Sequence, residues 1–505
     1  MITITGNDLD FEDVIRVARN KEKVQIAESA KRKINKARKQ VDNLVKKGEV
    51  VYGITTGFGK FSDKKISPKE VLKLQENLIK SHAVGTGNAL DIEVVRAMIL
   101  LRINNLAKGH SGIRLKIVEQ LIALLNKGVT PWVPEQGSVG ASGDLVPLAH
   151  IVLVIMGAGK AYYNGELLEG SIALKKAGLT KMKLVSKEGL ALINGTQMMA
   201  ALGSIALYDS KNIMEHADYA LALSLEGLNG ITAAFDEDVH KLRSHPGQLK
   251  SAKKVRNLCK GSNLAVYEHE ERVQDAYTLR CGPQVHGASR EAINHVSDIL
   301  LREINSVTDN PLLFPDKDKV ISGGNFHGQP LALSLDYLAM AISELGNISE
   351  RRVARLVDGS LNNDLEMFLT PQGGLNSGYM IAQYTAASIV AENKVLANPA
   401  STDSIPTSAN QEDHVSMGSI SARKLRNIVN NLEKILAIEL ITSAQAVDLR
   451  SDNPLNDLGK GTKVIYEEIR DNVEMLKEDR ILYPEVENIS NLIHKSIITK
   501  KLNNL

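Results

Sequence analysis

Between residues 425 and 436 the apolar positions Leu425, Ile428, Val429, Leu432, Ile435 and Leu436 return at steps of three and four. That period lays side chains along one stripe of an α-helix. Residues 331–357 are apolar on nearly every face, Leu335, Leu338, Ile342 and Leu345 among them, which predicts a helix inside a bundle. Helical spacing also covers residues 24–47, 92–108, 115–126 and 195–223, and an unbroken apolar stretch at 145–159 reads as a core helix. The best β signal is 161–168, two short runs around Asn164-Gly165, a dipeptide suited to hairpin turns. The pattern predicts a mainly α fold, a long central helical bundle with small β accessories. No repeat of 20–50 residues and no low-complexity linker interrupts it. The division expected is therefore soft: an N-terminal region 1–200, a central bundle 201–450 and a C-terminal helical region 451–505.

Composition narrows the partners. Lys and Arg number 61 against 59 for Asp and Glu, a formal charge of +2 over 505 residues, so no global field selects nucleic acid or anionic lipid. The one basic run, Lys31, Arg32, Lys33, Lys36, Arg38 and Lys39, has no interleaved aromatics and reads as a solvated helix face. The stretch at 145–159 is broken by Pro147 and His150 and is shorter than a membrane span. Only Cys259 and Cys281 occur, too few for a disulfide framework, and the N-terminus lacks a basic leader or apolar signal segment, so a cytoplasmic protein is expected. His269-Glu270 lacks the second histidine of a zinc-binding HExxH pair, and no metal is expected. The partner expected is a small molecule.

Glycine-rich loops with few charges are the exception to the helical pattern: YGITTGFG at 52–59, GSVGASGDL at 137–145 and ISGGNFHGQP at 321–330. In the second, Ala141-Ser142-Gly143 precedes Asp144 and the apolar stretch. Taken alone the tripeptide is a helix N-terminus with a compact turn. It can also cyclise. Attack of the Gly143 nitrogen on the Ala141 carbonyl with loss of water, then dehydration of Ser142, leaves an exocyclic methylidene on an imidazolone. Glycine permits the backbone compression, alanine is small, and serine carries the hydroxyl that leaves. The product is an electrophile, a function that ordinary side chains lack and that usually falls to a cofactor.

GSVGASGDLVPLAH, with YGITTGFG, ALINGTQ, QDAYTLRCGPQVHGA, SGGNFHGQP and TSANQEDHVSMG in order from residue 52 to 418, resembles the aromatic amino acid ammonia-lyases, in particular their histidine ammonia-lyase branch. The resemblance implies a fold of the ammonia-lyase and fumarase type. It also implies non-oxidative loss of ammonia from L-histidine to give trans-urocanate, the first step of histidine degradation. The prosthetic group implied is 4-methylideneimidazole-5-one (MIO), formed from Ala141, Ser142 and Gly143 with no external cofactor.

By the same resemblance, Tyr52 is the base that removes the β-proton; a phenol ionising near pKa ~10 needs positive charge or hydrogen bonds to favour the phenolate. Asn194 steadies negative charge on the imidazolone oxygen. Arg280 pairs with the substrate carboxylate through its planar guanidinium, while Tyr277 and Gln274 position the amine and carboxylate end. The three recur every third residue, so one helical turn is expected to align them. Phe326 lies beside the ring of the substrate. Ser81-His82 and the Glu412 of Asn410-Gln411-Glu412-Asp413-His414 match the histidine branch, where the carboxylate accepts an imidazole N–H. Beside a phenyl ring that carboxylate would go unpaired, at a cost. Met380 is a further candidate in this pocket. The assembly implied is a homotetramer with sites shared between chains. Three alternatives stay open: an MIO-dependent aminomutase, a tyrosine or phenylalanine lyase, and a non-catalytic helical scaffold in which Ser142 never cyclises.

Overall fold

The computed structural model describes every residue except 58, 62, 63, 65, 68, 69 and 505. Phe58 of the first glycine-rich loop is thus outside the described residues. Helices dominate, with four small sheets among the described residues. The chain divides into two compact units, one of Met1–Ile205, Ser297–Asp336 and Pro399–Arg423, the other of Ala206–Val296, Tyr337–Asn398 and Lys424–Leu505.

In the first unit the Ile92–Ala107 helix is buried along almost its whole length, and the Phe11–Ala18 and Leu115–Lys127 helices pack on it. Besides Met98, Ile99 and Leu106 it buries Arg96, Arg102, Asn104 and Asn105, each with hydrogen-bond partners. The predicted hairpin is present, Lys160–Tyr163 against Glu166–Glu169. Asn164 and Gly165 turn it at φ 51° and 83°, the left-handed pair that matches strand twist. Two helical expectations need correction. Val24–Ile26 is a strand paired in parallel with Ile2–Ile4; its β-branched ends are buried with Gln25 exposed between them, and the helix runs from Glu28 to Lys47. Helix also fails at Gly195, whose φ of 148° belongs to a bridge with Gly143, so the long helix there is Gln197–Gly227.

The second unit is built on long helical segments that bury Leu425, Ile428, Val429, Leu432, Ile435 and Leu436, the stripe read from the sequence. Polar groups among them are paired. Arg352 and Glu439, both fully buried, form an ion pair that also takes hydrogen bonds from Ser224 and Ser349. His286 bonds Asp218 at 2.8 Å, and Arg290 bonds the other oxygen of Asp218 at 2.7 Å. The Gln329–Val357 helix buries Leu335, Leu338, Ile342 and Leu345 as expected. It leaves Leu333, in the part of the helix that belongs to the first unit, and Tyr337 and Met340 exposed, so these apolar side chains lack cover among the described residues. Among the described residues, no helix is long and apolar enough to cross a membrane.

Candidate active site

Two short helices end at one cavity of the first unit. The Val71–His82 helix delivers His82 with Leu78 one turn before it, and the Glu188–Ile193 helix delivers Asn194 with Leu190 one turn before. With Tyr52, Ser142, Phe326 and Glu412 these residues line about 850 Å³.

The Ala141-Ser142-Gly143 loop is clamped. Gly143 sits at φ 71°, and a Cβ there would lie 2.2 Å from the carbonyl oxygen of Gly195, so no other residue fits. Asp144, fully buried, accepts from the backbone N–H groups of Met198 and Met199 at 2.9 and 3.0 Å, while its own N–H donates to Gly195 at 2.7 Å. Burial pushes the Asp144 carboxyl up to about 7 against those hydrogen bonds. The Asn194 amide donates through Nδ2 to the Ser142 carbonyl oxygen at 3.0 Å, and its buried Oδ1 has no partner among the described residues. Cyclisation would make that Ser142 oxygen the imidazolone oxygen, so the residues present fit the prosthetic group: a side-chain-free Gly143, a compressed turn and a donor already on the oxygen that gains charge.

Glu412 ties the Ser142 loop to the turn at 407–412. Its Oε1 accepts from Ser142 Oγ at 3.1 Å and its Oε2 from Thr407 Oγ1 at 2.8 Å. His82 Nδ1 lies 2.8 Å from the Leu78 carbonyl oxygen, a pure acceptor, so Nδ1 carries the proton and Nε2 remains an acceptor. Burial lowers the His82 pKa, opposed by that hydrogen bond and by the charge of Glu412. The Tyr52 hydroxyl accepts from the Gly59 N–H at 3.3 Å. Burial raises its pKa, the negative charge of Glu412 raises it further, and the Gly59 bond only partly offsets them.

Four candidates do not line this cavity, since Gln274, Tyr277, Arg280 and Met380 belong to the second unit. Gln274 is exposed, Tyr277 is 69% exposed, and the Arg280 guanidinium lies 4.6 Å from the Tyr277 ring centre. The expected alignment of all three on one helical turn is corrected: Ala276 is extended at ψ 158° and the helix is Tyr277–Arg280, leaving Gln274 outside it. The reason lies in Asp275, whose carboxylate is taken by the Ile231 N–H at 2.6 Å and by Arg272 at 3.0 Å. Met380 is half-buried at the start of the Met380–Leu396 helix.

The sequence reading missed the apolar floor of Leu78, Leu145 and Leu190 and the polar edge of Asn310 and Ser322. A signal existed for two of them, because Leu78 and Leu190 stand four residues before His82 and Asn194, one helical turn away.

A mainly helical fold carrying a clamped Ala-Ser-Gly turn, an amide on its carbonyl and a tyrosine in the same cavity defines a class of lyase. Residues 9–471 match the family model for aromatic amino acid lyases, and the chain belongs to that family. It is 56% identical to a histidine ammonia-lyase of Caldanaerobacter subterraneus subsp. tengcongensis, over 99% of this chain and 98% of that one. Among solved structures it is similar to the histidine ammonia-lyase of Trypanosoma cruzi, 42% identical with a TM-score of 0.92 over 100% of this chain and 95% of that one. It is similar also to a tyrosine aminomutase of Streptomyces globisporus, 35% identical with a TM-score of 0.95 over 100% and 98%.

Proposed function

We propose that this chain is a carbon–nitrogen lyase that eliminates ammonia from L-histidine to give trans-urocanate, the first step of histidine degradation. The observation that carries the substrate choice is Glu412, whose carboxylate lines the same cavity as His82 and Ser142. The relative that is 56% identical and bears the name histidine ammonia-lyase supports the same choice.

An imidazolone with an exocyclic methylidene, formed from Ala141, Ser142 and Gly143 with loss of two waters, supplies the electrophile that turns the substrate amine into a better leaving group. The chain's own residues do the rest. The Asn194 Nδ2 stabilises negative charge on the Ser142 carbonyl oxygen. Glu412 and the free acceptor Nε2 of His82 receive imidazole N–H, a pairing that phenylalanine lacks. Leu78, Leu145 and Leu190 exclude water from the reacting end, with Phe326 against the substrate ring. Tyr52 takes the β-proton as phenolate. Arg280, Tyr277 and Gln274 hold the carboxylate and amine, and Met380 adds a soft contact.

Those last four residues act in the site of a neighbouring copy, in a cytoplasmic homotetramer. Two features support the assembly: the exposure of Tyr277, and the exposed apolar side chains of Leu333, Tyr337 and Met340. The likeness to a tyrosine aminomutase favours a second reading in which nitrogen returns to the β-carbon. Product analysis separates the two. L-histidine gives near-UV-absorbing urocanate and free ammonia, L-tyrosine and L-phenylalanine give little, and the intact chain is lighter by two waters. A chain of unmodified mass, or a β-amino acid product, overturns the proposal.

A further inference from the structure

Arg102 is a cation sealed inside the first unit, 2% exposed, on the buried Ile92–Ala107 helix. Among the described residues it forms no ion pair; Asp144 and Asp309 act on it only at longer range. Burying a charge without an ion-pair partner is unfavourable, so a leucine at this place would serve packing alone better. Its hydrogen bonds all converge on one stretch of chain. Nη1 donates to the Ala191 carbonyl at 3.2 Å, Nη2 donates to the Asn194 carbonyl at 3.0 Å, and Nη2 also donates to the side-chain oxygen of Gln197. Gln197 in turn donates to Thr308 at 3.0 Å, and Asn105, one turn along from Arg102, donates to the same hydroxyl at 3.1 Å.

The stretch so held is the one that carries Asn194. Its backbone is not helical there: Asn194 has φ −86° and ψ 109°, and Gly195 stands at φ 148°. A Cβ on Gly195 would lie 2.7 Å from Arg102 Nη2, which shows how closely the guanidinium meets this peptide. The Asn194 side chain then leaves from a peptide whose carbonyl is fixed by Arg102 and reaches the Ser142 oxygen at 3.0 Å.

We propose that Arg102 is a positioning residue for the elimination: its guanidinium fork fixes the Asn194 peptide so that the Asn194 amide meets the Ser142 carbonyl oxygen as charge develops there. This rests on the lyase reading above. Arg102 touches neither substrate nor Ser142 in this account. It acts through Asn194, and because Asn194 matters most when the oxygen is charged, losing Arg102 weakens the transition state more than substrate binding.

The full-length chain as wild type, Arg102→Met and Arg102→Lys tests this. Intact mass reports ring closure, the near-UV absorbance of the substrate-free protein reports the hydrogen bond to the ring carbonyl, and L-histidine kinetics report turnover. For Arg102→Met the expectation is a mass still lacking two waters, a displaced near-UV band, KM nearly unchanged and kcat down by about 10- to 100-fold. Arg102→Lys keeps the charge without the fork and keeps the variant foldable if Met does not; it is expected to close its ring and to lose kcat by about tenfold. Wild-type kcat in either ring-closed variant overturns the inference, as does a fall in kcat that merely tracks the fraction of unclosed chain. A wild type that lacks the two waters yet leaves L-histidine untouched sinks the substrate reading instead, and the displaced band in ring-closed Arg102→Met still decides the role of Arg102.

Discussion

The loop at 140–145 and the segment at 274–280 are both rich in chemistry, and the chain holds them in opposite ways. The first is clamped: Gly143 has no room for a side chain, Asp144 is buried on three backbone contacts, and Asn194 already donates to Ser142. The second faces outward at Gln274, which is exposed, and at Tyr277, 69% exposed, with the Arg280 guanidinium resting on the Tyr277 ring. Reactive backbone needs a rigid frame supplied by its own unit. In the proposed function, Arg280 displayed on a surface meets a different need, binding carboxylate to complete a pocket on another copy. The sharpest way to break this contrast is Ser142→Ala. With no hydroxyl to lose, the chain should keep the mass of the second water and turnover should fall by at least about 10³-fold, while thermal unfolding stays close to wild type because Ser142 is half-buried and makes one side-chain bond. Retained turnover in that variant ends the ring-based account of the first region.

The second region is tested by mixing. Tyr52→Phe and Arg280→Ala chains, each poorly active alone, should recover activity when co-expressed, to about a quarter of wild type if chains assort at random and each site takes the two residues from different copies. No recovery above the sum of the separate variants would place Arg280 outside any shared site. Arg280→Lys should chiefly raise KM, since an ammonium cannot reproduce two parallel hydrogen bonds.

What the sequence disclosed follows the same division. Gly143 and Asn194 were legible because they stand in motifs that resemble the ammonia-lyases, although what holds them is tertiary: the Gly195 carbonyl crowds Gly143, and the Asn194 amide reaches Ser142, 52 positions away. The stripe from Leu425 to Leu436 was legible because burial follows helical period. Gln274 was misread as part of a turn because the signal that ends helix there is tertiary, the capture of the Asp275 carboxylate by Ile231, 44 residues away in the chain. Arg102 was invisible for the same reason, since its bond to the Asn194 carbonyl spans 92 positions. Exposure of Leu333, Tyr337 and Met340 on a helix expected to be enclosed is a further difference, as is the end at Ile155 of the helix expected over 145–159. Apolar pattern reports that a face will be covered, and it is silent on whether the cover is the same chain.

The subtlest prediction concerns charge inside the clamped region. Tyr52 must lose a proton to act as base, and burial together with the negative charge of Glu412 holds its pKa above the ordinary tyrosine value. His82 must be neutral for its Nε2 to accept, and burial holds its pKa below the ordinary histidine value while Glu412 pulls it back up. The kcat/KM profile should therefore rise at the His82 pKa and rise again through the alkaline range as Tyr52 ionises. Glu412→Gln removes one negative charge that raises both groups. Both limbs should move to lower pH, the opposite of a general loss of activity, while the imidazole partner is weakened and KM for L-histidine increases. Limbs that stay in place, or move apart, would show that Glu412 does not act on Tyr52 and His82 in the assembled enzyme.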